Sequence, residues 1–562
     1  MTPASNVDLF APFERDVILE VRTSRMELMP GLKIETGINK KMRTGRISVS
    51  FGGLDADEHD LVFHGGRDKA IHGYCCSHYP TWQEEFPEAA ARFKPGGFGE
   101  NFVTERMNER NVCIGDVVSV GDDGVLLQVS LPRQPCFKLN HRFQLKNFAP
   151  NTYKTSRTGW YYRVLQEGTV QAGDEIRLVE RKWPGWTIER VQEYLHRTQD
   201  DASMNEALAA ISDMGDESRK AFERRVEKFK AKQKHAAATL NGNGEEAKEK
   251  WRDFKIVEKK VETPRISSFV LEAVHLNPEA GELQLGAHAR LKLPNGLQRS
   301  YSIVSGTPDR FELGIALEEP SRGGSAYLHH TAQVGDVVEI GRVTTDIKPA
   351  AAASNHVFIA GGIGITAFLS MLEMYGRIHW ESALHYGVRD AASDVPFRKR
   401  IEALGDTVKM YDGAKGQRMD IAAIFEGLSW NSHVYVCGPR RMMDEAVREA
   451  KARGLGEDEV HFEAFGADTS GDPFEVEVTS SREKSSKTLK VGAEETLLEV
   501  LKRHFGDEHV PSSCEVGNCG TCKVALRSGR VDHRGTSLME EERKDAMLSC
   551  VSRGVGKIAI EI

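Results

Sequence analysis

Four cysteines near the C-terminus constrain the fold of this chain more than any other feature. Cys514, Cys519 and Cys522 in CEVGNCGTC follow the spacing C-x4-C-x2-C, and Cys550 stands further along in MLSCVSRG. This is the plant-type spacing for a 2Fe-2S cluster, which thiolates hold while nearby backbone N–H groups tune it. A zinc site is the alternative, but zinc sites usually pair two C-x2-C motifs, and this stretch has one. The spacing therefore favours an iron-sulfur cluster bound by the last part of the chain.

The overall composition excludes several classes of protein. The chain has 562 residues, 40% of them hydrophobic and 28% charged, which is ordinary for globular domains. A net charge of -8 gives no electrostatic footprint for nucleic acid. The N-terminus lacks the basic and apolar regions of a signal peptide, and the apolar stretch VFIAGGIGITAFLSML is shorter than the roughly 20 residues of a membrane span. We expect a cytoplasmic enzyme with a small-molecule substrate and with neither nucleic acid nor membrane as partner.

Two polar segments divide the chain into regions of different pattern. KHAAATLNGNGEEAKEK and FGADTSGDP are rich in small and charged residues, which is typical of linkers. Before the first linker, short apolar runs predict a β-rich domain, and spaced apolar residues then predict three short amphipathic helices. Between the linkers, strand-like alternation gives way to alternating strands and helices. The predicted regions are 1–180 (β-rich), 181–234 (helical extension), 235–250 (linker), 251–350 (strand-rich), 351–466 (α/β), 467–473 (linker) and 474–562 (cluster-binding).

The strand-rich region contains a candidate segment for binding a phosphate and an aromatic ring. Arg299 in RSYS can hold a phosphate, Tyr301 can lie against a ring and Ser302 can hydrogen-bond a ring nitrogen. Downstream, the turn at Gly324 and Ser325 offers free N–H groups to an anion. By itself an R-x-Y-S tetrapeptide also fits an ordinary strand end.

The α/β region contains a candidate dinucleotide-binding turn. In HVFIAGGIGITAFLSML a strand leads into Gly361, Gly362 and Gly364 and then a helix, so that a pyrophosphate can approach the backbone. The spacing differs from G-x-G-x-x-G, and a tight strand-to-helix turn without a ligand is the alternative. Further on, HVYVCGPRRMMDEAV puts Cys437 at a strand end, where open α/β sheets bind ligands, although a lone cysteine there is more often a core thiol.

Taken in order, these motifs resemble the ferredoxin-NADP reductase superfamily, and in particular its phthalate dioxygenase reductase and vanillate demethylase reductase type. The resemblance covers residues 251–562 and implies a β-barrel flavin domain, an α/β nicotinamide-binding domain and a β-grasp ferredoxin domain. It implies FMN, in preference to FAD, and NADH as cofactors. The implied flavin residues are Arg299, Tyr301, Ser302, Gly324 and Ser325, and the implied nicotinamide residues are Gly361, Gly362, Gly364, Thr366 and Cys437, with Thr366 and Cys437 as catalytic residues.

Three features of this part of the chain fit that pattern less well. Ala367 stands where the family commonly has a proline, and GRVTTDIKP replaces a segment that usually contains asparagine. Arg389 and Asp390 in YGVRDAASD can be argued toward either nicotinamide cofactor. The preference for NADH therefore rests on the resemblance.

The first third of the chain contains an isolated cysteine, Cys136, in SLPRQPCFKLNHRF. Basic residues on both sides of it favour a metal ligand or a nucleophile. Upstream, glycines flank the basic residues of FHGGRDKAIHGY, which suits an anion. A lone cysteine is, however, more often a small buried hydrophobic residue, and spacing alone does not overturn that interpretation of Cys136.

These N-terminal segments resemble the MOSC family, in particular its bacterial YiiM type, over residues 16–179. Residues 183–233 are similar to the three-helix extension that follows the domain there. In that family the matching cysteine binds the molybdenum of a pterin cofactor, and members reduce N-hydroxylated compounds, so the resemblance implies that Cys136 is a catalytic molybdenum ligand. Weaker candidates for contacts with the pterin or its phosphate are His64, Lys69, Asn101, Arg133 and Arg157. Cys75, Cys76 and Cys113 have no matching role and are interpreted as structural.

Three functions are compatible with this organisation. The favoured one is a self-contained reductase, in which electrons run from NADH through FMN and the 2Fe-2S cluster to molybdenum at Cys136 and reduce compounds such as hydroxylaminopurine to amines. Fusion supports this hypothesis because it gives donor and acceptor a high effective concentration of each other. In the second, residues 251–562 feed a separate Rieske-type oxygenase or another acceptor protein. In the third, the MOSC-like domain is a sulfur-carrier or cofactor-binding module without redox turnover.

Overall fold

The structure is a computed structural model and describes most of the chain. The described residues are 11–60, 65–240, 251–277, 281–294, 296–319, 323–345, 347, 349–456, 458–463, 465, 471–480, 485–493, 495–506, 510–512, 515–517, 520–535, 537–538 and 541–562. Among the helices in these ranges, none combines the length and apolarity needed to cross a bilayer.

The N-terminal part is built on a large, mostly antiparallel sheet. Its strands are β1 (Arg15–Val17), β2 (Glu20–Thr23), β3 (Glu27–Leu28), β4 (Glu35–Thr36), β5 (Lys41–Met42), β6 (Ile47–Ser50), β7 (Gly53–Leu54), β8 (Ile71–Cys75), β9 (Phe102–Thr104), β10 (Val117–Val120), β11 (Val125–Pro132), β12 (Trp160–Gln166), β13 (Gly168–Val170) and β14 (Glu175–Glu180). Nine of them form one sheet in the order β1-β14-β10-β11-β12-β8-β9-β2-β5. Buried and partly exposed residues alternate at the start of β11, as expected for a strand with one face on a core. Cys136 lies shortly after the end of β11.

Helices α1 (His78–Glu85), α2 (Phe137–Phe143) and α3 (Phe148–Thr155) pack beside this sheet on a cluster of aromatic residues. Phe143 of α2 stacks on Phe93, with ring centroids 4.3 Å apart. Because α2 begins directly after Cys136, this aromatic cluster fixes the chain on one side of the cysteine.

Three helices follow the sheet, as the sequence predicted. They are α4 (Ile188–Gln192), which continues as a π-helical turn over Glu193–Arg197, α5 (Ala202–Ala209) and α6 (Asp216–Leu240). The side chains of Thr187 and Asp201 cap the first two helices by accepting backbone N–H bonds. Helix α6 runs on past residue 235, where a linker was predicted to begin, because no helix-breaking residue interrupts the segment before Leu240.

The strand-rich region closes into a six-stranded antiparallel barrel, which confirms the predicted fold. Its strands are β15 (Arg252–Thr263), β16 (Ile266–Ala273), β17 (Ala287–Lys292), β18 (Gln298–Thr307), β19 (Arg310–Ala316) and β20 (Val337–Thr345), in the order β15-β16-β19-β18-β17-β20. A short helix, α7 (Gly324–Ala326), lies between β19 and β20.

The following region is an open parallel sheet with helices, as the alternating pattern predicted. It contains β21 (Asn355–Gly361), β22 (Ser382–Val388), β23 (Val408–Asp412), β24 (Ser432–Cys437) and β25 (Val460–Phe462), with α8 (Leu369–Arg377), α9 (Arg398–Glu402), α10 (Ile421–Glu426) and α11 (Arg440–Ala452). The strand order is β23-β22-β21-β24-β25. In such a sheet, ligands bind at the carboxyl ends of the strands, near the point where the strand order reverses. Here that point lies beside β21.

The C-terminal part is a mixed five-stranded sheet that packs on one helix. It contains β26 (Phe474–Ser480), β27 (Ser485–Val491), α12 (Leu497–Phe505), β28 (Lys523–Asp532), β29 (Ala546–Leu548) and β30 (Arg553–Glu561), with strand order β27-β26-β30-β28-β29. Helix α12 begins with a capping box between Thr496 and Glu499, and its apolar face lies in the core.

Candidate functional site

Strand pairing brings two of the predicted cluster ligands together. Cys522 directly precedes β28 and Cys550 follows β29, and these strands pair antiparallel with Lys523 opposite Leu548. The two Sγ atoms are 3.1 Å apart, and both side chains are buried. This is the arrangement expected of two ligands that face one cluster. Cys514 and Cys519, the other two predicted ligands, lie outside the described residues.

A buried arginine joins the cluster-binding loop to the barrel. Arg290, on β17, donates a hydrogen bond of 2.9 Å to the carbonyl of Ser512, and its guanidinium lies 3.6 Å from the carboxylate of Glu515. Lys502 of α12 also pairs with Glu515 at 2.9 Å. Ser512 and Glu515 stand on either side of Cys514 in the sequence. The described residues on either side of Cys514 therefore lie directly against the barrel.

The residues predicted to bind flavin lie on β18 and on the short helix α7 beside it. Strand β18 carries Arg299 and Tyr301 and pairs with β17, so that Ser300 lies opposite Arg290. Gly324 packs so tightly on Arg299 that an added Cβ would lie 2.9 Å from the arginine Cγ. The start of α7 and the Arg299 side chain therefore lie side by side, and both are groups that can bind a phosphate. Ser325, next to Gly324, accepts a hydrogen bond of 3.2 Å from the backbone N–H of Glu318.

Ser302 links the barrel to the parallel sheet through a residue that the sequence analysis did not identify. Its hydroxyl donates a hydrogen bond of 2.6 Å to Glu463, which follows β25. Both side chains are buried. The position of Glu463 directly after the carboxyl end of a parallel strand was the available signal, but the four residues between β25 and the predicted linker, EAFG, form no motif.

The glycine turn after β21 makes the close approach that its composition predicts. Gly362 has a φ of 55°, and an added Cβ on Gly364 would lie 2.2 Å from the carbonyl oxygen of Cys437. Register places Ala360 of β21 opposite Cys437 of β24, so the two predicted nicotinamide segments meet at the carboxyl edge of the sheet. The chain continues as a 3-10 helix over Gly362–Ala367 in place of the first turn of an α-helix.

Cys437 and Thr366 are both buried at this edge. Burial raises the pKa of the Cys437 thiol well above its usual value, and the nearby Glu463 carboxylate raises it further. The thiol therefore stays protonated at neutral pH, where it can pack against a ligand or donate a hydrogen bond but does not act as a base. The hydroxyl of Thr366 donates to the carbonyl of Ile363 at 2.9 Å. It thereby holds the glycine turn in shape.

In the N-terminal part, Cys136 is half-buried and lies where two cavities meet. The smaller cavity, of about 60 Å³, is lined by several basic residues, and its charged or titratable lining residues include Lys40, His59, His72, Arg133 and Lys138. Lys40 is ion-paired with Asp57. Burial lowers the pKa of His72 well below its usual value, and the charge of Arg133 adds to the effect, so this imidazole is neutral at pH 7.

The surroundings of Arg133 indicate whether this cavity fits the phosphate of a pterin cofactor. Its backbone N–H donates to the carbonyl of Gly159 at 3.0 Å, but its Nη1 atom is buried and has no hydrogen-bond partner within the described part of the chain. A buried guanidinium N–H without an acceptor is costly. An anionic ligand would supply the acceptor, so the cavity fits such a group.

The larger cavity, of about 350 Å³, is mostly apolar and lies between the N-terminal part and the parallel sheet. Cys136, Phe137, Tyr153 and Tyr161 line one side, and Trp380 lines the other. Asp60, Lys138, Cys136 and Tyr161 border both cavities. The cysteine therefore separates a basic compartment from an aromatic one.

The other residues predicted for pterin binding have different surroundings. Lys69 borders the aromatic cavity and pairs with Glu217. Asn101 borders the basic cavity, but its side-chain amide is already hydrogen-bonded to the backbone of His72 and Arg22 and to the carboxylate of Asp57. Arg157 borders neither cavity, because it pairs with Glu85 and lies 3.5 Å over the ring of Trp82. His64 lies outside the described residues. Arg133 is thus the candidate with the most favourable position for binding an anion.

Sequence reasoning also missed residues that shape both cavities. They come from segments far apart in the chain and include Lys40, His59, Lys138, Tyr161 and Trp380. No spacing rule connects them. Among the predicted structural cysteines, Cys75 and Cys113 are buried, and Cys76 is half-buried, with its pKa raised to about 11 by burial.

Family models match three parts of the chain. Residues 60–177 match a MOSC domain, residues 186–229 match a YiiM-like 3-alpha helix domain, and residues 481–554 match a 2Fe-2S iron-sulfur cluster binding domain. These matches agree with the predicted β-rich domain, helical extension and cluster-binding region.

Curated relatives cover the whole chain or its second half. A protein named reductase from Gibberella moniliformis is 34% identical over 99% of this chain and 97% of its own length. The carnitine monooxygenase reductase subunit of Escherichia coli is 34% identical over 48% of this chain and 86% of its own length. The phthalate dioxygenase reductase of Burkholderia cepacia is 33% identical over 48% of this chain and 84% of its own length. The two halves therefore occur together in one relative, and the second half also occurs alone.

Proposed function

Because the chain belongs to a family of reductases that join MOSC and YiiM-like domains to a phthalate dioxygenase reductase-like module, we propose that it is a self-contained NADH-dependent reductase of N-hydroxylated compounds. Electrons would run from NADH through FMN and the 2Fe-2S cluster to a molybdenum cofactor at Cys136. The N–O bond of a substrate such as hydroxylaminopurine breaks, two electrons from NADH and two protons enter, and the amine and water leave. NADH is oxidised to NAD+.

The observation that carries this proposal is the position of Cys136 between a basic and an aromatic cavity. When bound, the cofactor would supply a metal centre that takes up two electrons and passes them to substrate. Arg133 and Lys40 would hold its anionic part in the basic cavity, and the Cys136 thiolate would be the protein ligand to the metal. The aromatic cavity would hold the substrate on the other side of the thiol.

Lys138 would position the reacting oxygen of the substrate. Its ammonium lies 3.3 Å from Asp60 and 3.2 Å from the carbonyl of Glu35, and it borders both cavities. An ammonium held in this way can donate a hydrogen bond to the oxygen that leaves as water. The Tyr161 hydroxyl, which borders both cavities as well, would be the second donor.

The test is NADH-driven reduction of 6-hydroxylaminopurine by the purified chain alone, after expression in a host that makes molybdenum cofactor. We expect adenine formation and about one molybdenum per chain by metal analysis, both lost in Cys136→Ala. NADH-driven reduction of cytochrome c should be unchanged in that variant, since it needs only the flavin and the cluster. Protein that holds iron and flavin but no molybdenum would overturn the proposal.

The second candidate function is delivery of electrons to a separate oxygenase or other acceptor protein. It is favoured by the existence of relatives that match only residues of the second half, one of which is named as a reductase subunit. Under this function the chain reduces cytochrome c rapidly but turns over 6-hydroxylaminopurine no faster than Cys136→Ala does. The same assay therefore separates the two.

A further inference from the structure

We propose that Trp380, a residue of the parallel-sheet module, forms the specificity wall of the aromatic cavity and selects planar N-hydroxylated ring compounds over small aliphatic ones. This inference rests on the proposed function. It assigns part of the substrate site of one half of the chain to a residue of the other half. No role in substrate binding follows for Trp380 from the nicotinamide-binding fold itself, because it lies before β22, at the amino edge of the sheet.

The cavity in front of Cys136 has an aromatic wall on each side. Phe137 and Tyr153 stand on the N-terminal side, and Ile378 and Trp380 stand on the side of the parallel sheet. The rings of Phe137 and Trp380 meet edge to face, with centroids 6.1 Å apart. A flat aromatic ligand could lie along these surfaces with its substituent directed at Cys136.

Trp380 is held in place from behind. Its indole stacks on the imidazole of His356, with centroids 5.2 Å apart and an interplanar angle of 5°, and lies 5.0 Å from the ring of Tyr375. Its backbone N–H donates to the carbonyl of Tyr375 at 2.9 Å. Because His356 and Tyr375 are buried, the indole presents a fixed surface to the cavity.

Polar contacts around the cavity hold the two modules together. The amide of Asn140 donates to the carbonyl of Ala352 at 2.9 Å, and Lys146 pairs with Glu459 at 2.6 Å. The backbone N–H of Lys33 donates to Glu381 at 2.8 Å. Ala352 itself lines the cavity, and the three contacts lie in different segments, so the position of Trp380 relative to Cys136 is set by more than one bond.

The size and lining of the cavity match the proposed ligand class. Its volume of about 350 Å³ lies near the lower end of the roughly 300–1,000 Å³ usual for small-molecule sites. Most of the lining is apolar. Its charged residues are the pair of Lys69 and Glu217 together with Asp60 and Lys138, which, like Cys136, also border the basic cavity. A ring with one polar N-hydroxyl group would satisfy both parts.

The experiment compares Trp380→Ala with the matched variant Trp430→Ala. Trp430 lies at the same edge of the sheet and packs on His141, with centroids 5.8 Å apart, but it borders neither cavity. Binding of 6-hydroxylaminopurine and of acetamidoxime is measured by titration calorimetry on oxidised full-length protein without NADH. We expect Trp380→Ala to weaken binding of the purine about tenfold, which is about 1.4 kcal/mol, and to leave acetamidoxime binding unchanged.

Trp430→Ala should leave both dissociation constants unchanged. Equal weakening by the two tryptophan variants would mean that module docking, and not the ring of Trp380, controls binding, and this would overturn the inference. So would equal loss of both ligands in Trp380→Ala, or no binding of the purine to the wild type. Selective binding of the purine without its reduction would support the role of Trp380 and contradict the proposed function. The two proposals can therefore be refuted independently.

Discussion

The C-terminal and N-terminal modules dock on the rest of the molecule through different kinds of contact. Beside the cluster-binding segment, the buried Arg290 of the barrel bonds to Ser512 and faces Glu515. The N-terminal module meets the parallel sheet through rings, with Phe137 on Trp380 and His141 on Trp430, and through polar contacts such as the pair of Lys146 and Glu459. The first interface lies beside the flavin strand. The second lies at the amino edge of the sheet, where no nicotinamide or flavin residue is expected.

This difference separates the two predicted redox steps in space. Strands β21, β22 and β24 span six or seven residues each. At about 3.3 Å per residue, the two edges of the sheet are about 20 Å apart. The docked state therefore suits transfer from flavin to cluster, whereas the proposed transfer to Cys136 would need movement of the cluster-binding module or a second copy of the chain. The two docking sites should consequently respond to mutation independently.

The largest effect is expected for Cys550→Ser, which removes a buried ligand of the cluster. Loss of a hydrogen-bond partner of a metal ligand typically lowers metal affinity or activity by roughly 10–100-fold. Loss of the ligand itself should lower the rates of cytochrome c and 6-hydroxylaminopurine reduction by more than that. NADH-driven reduction of ferricyanide, which the flavin alone can support, should persist. Iron analysis and the visible spectrum check the result. Cys76→Ser is the control, and retention of iron in Cys550→Ser would contradict the ligand assignment.

Arg133→Met should impair the N-terminal module and leave the flavin and the cluster intact. It removes a guanidinium whose buried Nη1 atom has no acceptor among the described residues. We therefore expect the molybdenum content to fall by about 10–100-fold at limiting cofactor, as for loss of outer-shell partners. Cytochrome c reduction should not change. Arg157→Met is the matched control, since Arg157 borders neither cavity. If both arginine variants lose molybdenum equally, the basic cavity is not the pterin site.

The two halves of the chain also differ in how much of their structure could be predicted from the sequence. The cluster ligands and the turn at Gly361–Gly364 lie in short motifs whose spacing is imposed by local geometry, so the fold of residues 251–562 could be predicted, and Cys522 and Cys550 do lie together. The surroundings of Cys136 are assembled from segments between Thr36 and Trp380. Their contacts depend on tertiary packing and on docking of two modules, which no local pattern records. Arg157 is an example: the sequence analysis predicted that it contacts the pterin, but its guanidinium packs over the ring of Trp82.

Arg290→Met should slow transfer from flavin to cluster without removing either group. Truncating one partner of a buried hydrogen-bonded charge at an interface costs about 2–5 kcal/mol, so we expect the docked population and the transfer rate to fall by at least about 30-fold. Stopped-flow bleaching of the cluster after reduction by NADH measures the rate. Lys292→Met, on the same strand but paired with Glu339 of the barrel, is the control. An unchanged rate in Arg290→Met would show that the arginine does not control docking.

The smallest expected effect is the pH dependence of electron transfer from flavin to cluster across that same interface. Although burial favours the neutral carboxyl, Lys502 and Arg290 hold the pKa of Glu515 below its usual value. A lowered pKa means that the docking contact is fully present above the usual carboxyl range and is lost only as the pH falls below it. The flavin-to-cluster rate should therefore be flat from neutral pH down to the ordinary titration range of a glutamate and should decline only below that range. Glu515→Gln should lower the neutral rate modestly and remove the acid decline. A decline centred near neutral pH, unchanged in Glu515→Gln, would assign the interface to another group.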